Sequence, residues 1–185
     1  MMILVTGGAS SGKSAFAEDL TLRLPGPRYY FAAMKPFGEE AARRIARHRD
    51  LRAGKGLVTV ECFDGVKQAL ESMQPVTSAD ARGTVLLECL GNVVANELFG
   101  DDGSMADSAE ALKAVLEGVS ALEGAFDNLV VVGNEVGADG MRYEGGTDAY
   151  VEVLGAAACA LAQRCDAVVE CVYGQPTYVK GNPLP

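Results

Sequence analysis

Alternation of apolar and polar positions divides the chain into short strand-like runs joined by helix-patterned stretches, an order that predicts βαβ units and a parallel sheet. The first run, Met2-Ile3-Leu4-Val5-Thr6, leads through a glycine-rich turn into Ala15–Leu24. There apolar residues recur at helical spacing until Pro25-Gly26-Pro27 stops them. Arg28 to Ala33 reads as a second strand, aromatic and largely buried. A charge-rich helix is expected from Glu39 to Arg52, an alternating strand over Leu57–Glu61, and a short helix over Asp64–Met73 before a polar turn around Pro75. Thr84–Glu88 reads as a buried strand ending in a carboxylate. Gly91–Phe99 looks helical, Gly100-Asp101-Asp102-Gly103 forms a turn, and Ser104 or Asp107 caps an amphipathic helix running to Gly124. Asn128–Gly133 is apolar along its length, as a parallel strand covered on both faces should be. Residues 138–146 are glycine-rich, with little regular structure expected, and Thr147 starts a helix whose small residues suit close packing. Ala167–Val172 is a sixth strand, and Thr177–Lys180 an edge strand after the Gly174-Gln175-Pro176 turn. No repeat, low-complexity tract or linker interrupts this order, so one domain over residues 1–185 is expected.

Composition narrows the class. With 185 residues, 49% hydrophobic and 22% charged, the chain can build one α/β core, and no apolar run is long enough for a membrane helix. The formal net charge of −9 argues against a nucleic-acid partner. Met1 leads straight into the first strand without a basic leader, and the five cysteines (Cys62, Cys89, Cys159, Cys165, Cys171) form no C-x-x-C pair. Reduced, mostly buried thiols in a cytoplasmic protein are therefore expected.

Candidate chemistry begins at Gly7-Gly8-Ala9-Ser10-Ser11-Gly12-Lys13-Ser14, which satisfies G-x-x-x-x-G-K-[ST] between a strand and a helix. Glycines let successive N–H groups converge on a phosphate, and the helix start adds its positive end. Lys13 would reach the β- and γ-phosphates, and the Ser14 hydroxyl would hold Mg²⁺.

The 39–52 segment sets the only histidine, His48, among five arginines. On a helix, Arg44, His48 and Arg52 share a face at i, i+4 spacing and would meet an approaching phosphate. Neighbouring cations disfavour imidazolium, leaving His48 neutral and nucleophilic. The same charges could equally form only a solvated face, with Glu39 and Glu40 paired to Arg43 and Arg44. Glu88 stands where a strand-end acid holds Mg²⁺ or its water, or else caps the next helix. Asn134-Glu135-Val136-Gly137 arrives at the carboxyl edge, where ligands bind in open α/β sheets. From the residues alone, a small-molecule kinase using Lys13, Ser14 and Glu88 and a nucleotide-gated regulatory protein both stay open.

Over most of its length the chain resembles the bifunctional adenosylcobinamide kinase / adenosylcobinamide-phosphate guanylyltransferase family of cobalamin biosynthesis. The resemblance rests on Ile3–Gly8 with Ser11–Ser14, Arg44-Ile45-x-x-His48-x-x-x-Arg52, Thr59-x-Glu61-Cys62, Leu86–Leu90, Asn134–Gly137, and Asp166-Ala167-Val168 with Gly174, Pro176 and Lys180. It implies a P-loop NTPase-like (RecA-like) three-layer α/β fold with a mostly parallel central sheet, Mg²⁺, ATP and GTP as substrates, a corrinoid acceptor and a homotrimer. It further implies phosphoryl transfer to adenosylcobinamide at a site using Lys13, then guanylylation of His48 by GTP and transfer of GMP to adenosylcobinamide phosphate. Ala32, Ala33, Met34, Arg49, Asp50, Leu51, Arg52, Glu61 and Glu88 are implied near the guanine nucleotide. Ala33 and Met34 stand where the family usually has small hydroxyl residues, and Val151-Glu152 and Ala158-Cys159 lie where Arg-Asp and Asn-Gln are typical.

Overall fold

The computed structural model describes residues 1–73, 82–137, 140–141 and 143–184, without the side chains of Arg44 and Leu51. In chain order the elements are β1 (Met2–Thr6), α1 (Lys13–Arg23), β2 (Arg28–Ala32), α2 (Gly38–Arg52), β3 (Leu57–Glu61), α3 (Val66–Ser72) and β4 (Thr84–Glu88). They continue with α4 (Leu90–Leu98), α5 (Ser108–Ala125), β5 (Asn128–Val132), α6 (Gly146–Arg164), β6 (Ala167–Val172) and β7 (Gln175–Lys180).

Each apolar run of the sequence becomes a strand of one sheet ordered β3-β2-β4-β5-β1-β6-β7. All neighbouring pairs are parallel except β6 with β7. β5 stands between β1 and β4, the strand order of RecA-like phosphate-loop folds, and helices cover both faces of the sheet. On one face, Ala17 and Leu20 of α1 pack among Ile3, Val5, Tyr30, Leu86 and Val130. On the other, α3 to α6 bury residues such as Leu87, Val115 and Leu154. Alternation along β2 explains the division: Tyr29 and Phe31 meet Phe126 with ring centroids 5.2 and 6.3 Å apart, while Tyr30 points to the α1 side. The outer helix α2 is polar, and Arg52 is its one buried side chain among those described.

Several boundaries differ from the sequence expectation. Asp107, not Ser104, caps α5: its Oδ1 accepts from the Ala109 and Glu110 N–H groups at 2.9 and 3.2 Å. α3 begins at Val66 because Gly65, at φ 118°, lies outside helical space. The last turn sits at Tyr173-Gly174, and Pro176 lies inside β7, where an edge strand tolerates its missing N–H. α6 starts at Gly146 rather than Thr147. The turn around Pro75, and residues 138, 139 and 142 of the glycine-rich stretch, lie outside the described residues. Among the described residues no helix is long and apolar enough to cross a membrane.

Candidate active site

After β1 the chain turns through Gly7–Gly12 into α1, with Gly7 at φ 148°, Ser10 at 57° and Gly12 at 89°. The Ser11 N–H donates to the Gly8 carbonyl at 3.3 Å, and Lys13 Nζ donates to the same oxygen at 2.9 Å. Glycine at position 7 is enforced by the hairpin behind it: a Cβ there would lie 2.5 Å from the Cys171 carbonyl oxygen. The β6–β7 turn braces the loop further, the Gly174 N–H donating to the Ser11 carbonyl at 2.8 Å.

Parallel register sets the acids. Ala32 at the end of β2 pairs with Glu61 on one side and Glu88 on the other, so both carboxylates stand at the carboxyl edge beside the loop. Above this edge lies a cleft of about 950 Å³. Its walls bring together Gly7 and residues 9–14 of the loop with Ala32, Met34, His48, Arg49, Arg52, Glu61 and Glu88. Asn134 and Glu135 line it as well, and Asn134 Oδ1 accepts from the Gly91 N–H at 3.2 Å, tying that turn to the start of α4.

Other residues implied by the resemblance sit differently. Gly8 is outside the cleft walls and offers its carbonyl to Lys13. Ala33 is fully buried, its N–H bonded to the Glu88 carbonyl at 3.1 Å and its carbonyl accepting from Asn96 Nδ2 at 2.9 Å. Asp50 is exposed and also outside the walls. The backbone of Leu51 lies in α2.

Electrostatics concentrate where α2 meets the sheet. Arg49 Nη2 contacts Glu61 Oε1 at 2.6 Å, and Lys55 pairs with Glu18 of α1. Arg52 is only 8% exposed; its guanidinium carbon lies 3.5 Å from the Tyr30 ring centroid, and its Nε and Nη1 have no hydrogen-bond partner among the described residues. The buried Ser11 Oγ is likewise unpartnered among them. Unpaired buried polar groups are costly, and both residues belong to the walls of the cleft. The outer side of α2 also realises the solvated alternative, Arg43 Nη2 pairing with Glu39 Oε2 at 3.0 Å.

Glu88 does not cap α4. Cys89 holds the N-cap position without a side-chain cap, and Glu88 Oε2 instead accepts from the Tyr30 hydroxyl at 3.1 Å. Tyr30 was not among the residues singled out in the sequence. The available signal was its place in a buried strand, since a tyrosine with a buried ring needs a partner for its hydroxyl. Cys62, Cys165 and Cys171 are buried free thiols, Cys89 is half-buried and Cys159 exposed. Burial pushes the Cys62 thiol up to about 12 and the Cys165 thiol to about 11.

Among the described residues no group of three acidic, histidine or cysteine side chains could cage a metal ion. Ser14 and Glu88 both line the cleft, and their oxygens fit a cation held chiefly by phosphates and water, as Mg²⁺ usually is.

Residues 3–179 match the family described as cobinamide kinase / cobinamide phosphate guanyltransferase. The bifunctional adenosylcobalamin biosynthesis protein CobP of Pseudomonas aeruginosa is 32% identical over 184 residues, covering all of both chains. The protein of that bifunctional description named CobU is 35% identical over 147 residues in Salmonella typhimurium, covering 74% of this chain and 76% of that one. A solved structure of the P4 protein from bacteriophage phi6 in complex with ADP aligns with TM-score 0.44 and 14% identity over 95% of this chain and 52% of that one.

Proposed function

This chain belongs to the cobinamide kinase / cobinamide phosphate guanyltransferase family, and from that premise we propose how its cleft carries out both reactions. In the first, a nucleoside triphosphate gives its γ-phosphoryl group to the aminopropanol hydroxyl of adenosylcobinamide. The loop from Gly7 to Ser14 cradles the phosphates, and Lys13 leaves the Gly8 carbonyl to neutralise the transferring group. Ser14 and Glu88 would hold Mg²⁺, which when bound neutralises charge on the phosphates.

In the second reaction an imidazole nitrogen of His48 attacks the α-phosphorus of GTP, a P–N bond forms, and pyrophosphate leaves. A phosphate oxygen of adenosylcobinamide phosphate then attacks the guanylyl phosphorus, the P–N bond to His48 breaks, and adenosylcobinamide-GDP is formed. Covalent catalysis of this kind divides one displacement into two. Arg52, a cation in the cleft wall, is suited to the triphosphate and its departing pyrophosphate. The observation that carries the reading is the opening of His48, Arg52 and the phosphate loop into one cleft. Neither a kinase lacking a covalent step nor a regulatory nucleotide sensor requires a histidine there. The homotrimer and cytoplasmic location expected from the resemblance belong to the same proposal, and sedimentation of a 19.3 kDa monomer alone would remove the trimer from it.

The test is incubation with Mg²⁺ and GTP labelled at the α-phosphate. An acid-labile, base-stable protein adduct is expected, absent from His48→Asn protein that retains phosphoryl transfer. GTP binding without any adduct would remove the guanylyl-histidine and leave a kinase.

A further inference from the structure

Arg52 and Glu88 reach the cleft from different elements, one ending α2 and the other ending β4, yet a single side chain touches both. We propose that Tyr30 is a positioning residue for the two reactions, its ring orienting Arg52 toward the triphosphate and its hydroxyl orienting Glu88 toward the phosphate-bound cation. The inference rests on the function proposed above.

Tyr30 lies in β2 with 4% of its surface exposed and lines the cleft. The guanidinium of Arg52 stacks 3.5 Å from its ring centroid. A buried guanidinium without a carboxylate partner is poorly stabilised, and an aromatic face offsets part of that cost. Stacking also confines the planar fork, so the guanidinium is held in a limited set of orientations at the cleft wall.

The hydroxyl acts on the other element. Donation to Glu88 Oε2 at 3.1 Å fixes one carboxylate oxygen and leaves the other for the cation or its water.

The two contacts can be separated in the full-length protein. Tyr30→Phe keeps the ring and removes the donor; Tyr30→Leu removes both, with Tyr30→Met replacing it should the leucine variant not fold. GTP affinity is measured by calorimetry with Mg²⁺ and with EDTA. Tyr30→Phe should bind metal-free GTP within about twofold of wild type while losing at least about fivefold of the Mg²⁺-dependent gain. The ringless variant should also lose about tenfold in metal-free affinity, matching Arg52→Met, and the double variant should lose little more. Equal behaviour of Tyr30→Phe and wild type in Mg²⁺, or losses at positions 30 and 52 that simply multiply, would overturn the proposal. Labelled-GTP adduct formation by wild type is scored separately: GTP binding without adduct would sink the guanylyltransferase reading, while the binding cycle would still decide the role of Tyr30.

Discussion

Replacing Gly7 with alanine tests the idea that the phosphate loop is shaped as much from behind as by its ligand. The new Cβ would meet the Cys171 carbonyl oxygen at 2.5 Å and Ser11 Oγ at 2.6 Å, on a residue whose φ of 148° side chains rarely adopt. Backbone strain of about 1–3 kcal/mol and overpacking of similar size both apply. Because the carbonyl belongs to β6, which is paired on both sides by β1 and β7, little of either can relax, and a loss of about 3 kcal/mol is expected. For a chain of this length that lowers the melting temperature by roughly 6–12 °C. Gly8, the next residue, is the internal control: its Cβ would meet nothing within 4 Å and its φ is not in the left-handed region. Gly8→Ala should stay within about 0.5 kcal/mol of wild type. Scanning calorimetry without nucleotide reads both variants in the absence of ligand effects. Equal melting temperatures for Gly7→Ala and wild type would refute the bracing of the loop by β6.

Lys13→Ala should lower phosphoryl transfer at least about a hundredfold, since a charge facing the transferring group is lost; γ-labelled substrate reads this, and undiminished turnover would remove Lys13 from the site. The Asp127 carboxyl is held below its ordinary 3.8, first by the Arg82 N–H, although desolvation opposes this. Its contribution is therefore present above the unfolded value and lost as pH falls through the folded one. Urea midpoints between about pH 5 and about pH 2 should fall more steeply for wild type than for Asp127→Asn. Cys159 is exposed whereas burial raises Cys62 to about 12, so a thiol reagent near pH 8 should label Cys159 long before Cys62, as peptide mapping would show.

The loop was legible because its motif stands between an apolar strand and a helix, each readable on its own. Glu88 was legible as a strand-end acid, but its partner was not, because Tyr30 lies 58 residues away and only the β2–β4 pairing brings them together. Glu61 and Glu88 flank Ala32 for the same reason, and strand order is not written locally. Ala32 and Ala33 could not both enter the cleft, since successive side chains at a strand end diverge; Ala33 turns into the core. The charge pattern of α2 read as wholly solvated or wholly functional, and the helix is neither. Arg43 pairs with Glu39 on the outside, while Arg52 is drawn inward onto a ring that helical periodicity could not reveal.

The position of β1 has a consequence for synthesis. Its neighbours are β5 and β6, made more than 120 residues later, and Met2 and Asp166 exchange hydrogen bonds at 2.7 and 2.8 Å across that distance. β1 is thus made well before the strands it pairs with, a long-range closure that slows folding. The Gly174 N–H that braces Ser11 comes later still. Residues 7–14 carry the complete phosphate-binding motif, but the backbone that shapes it is complete only when the β6–β7 hairpin has been translated.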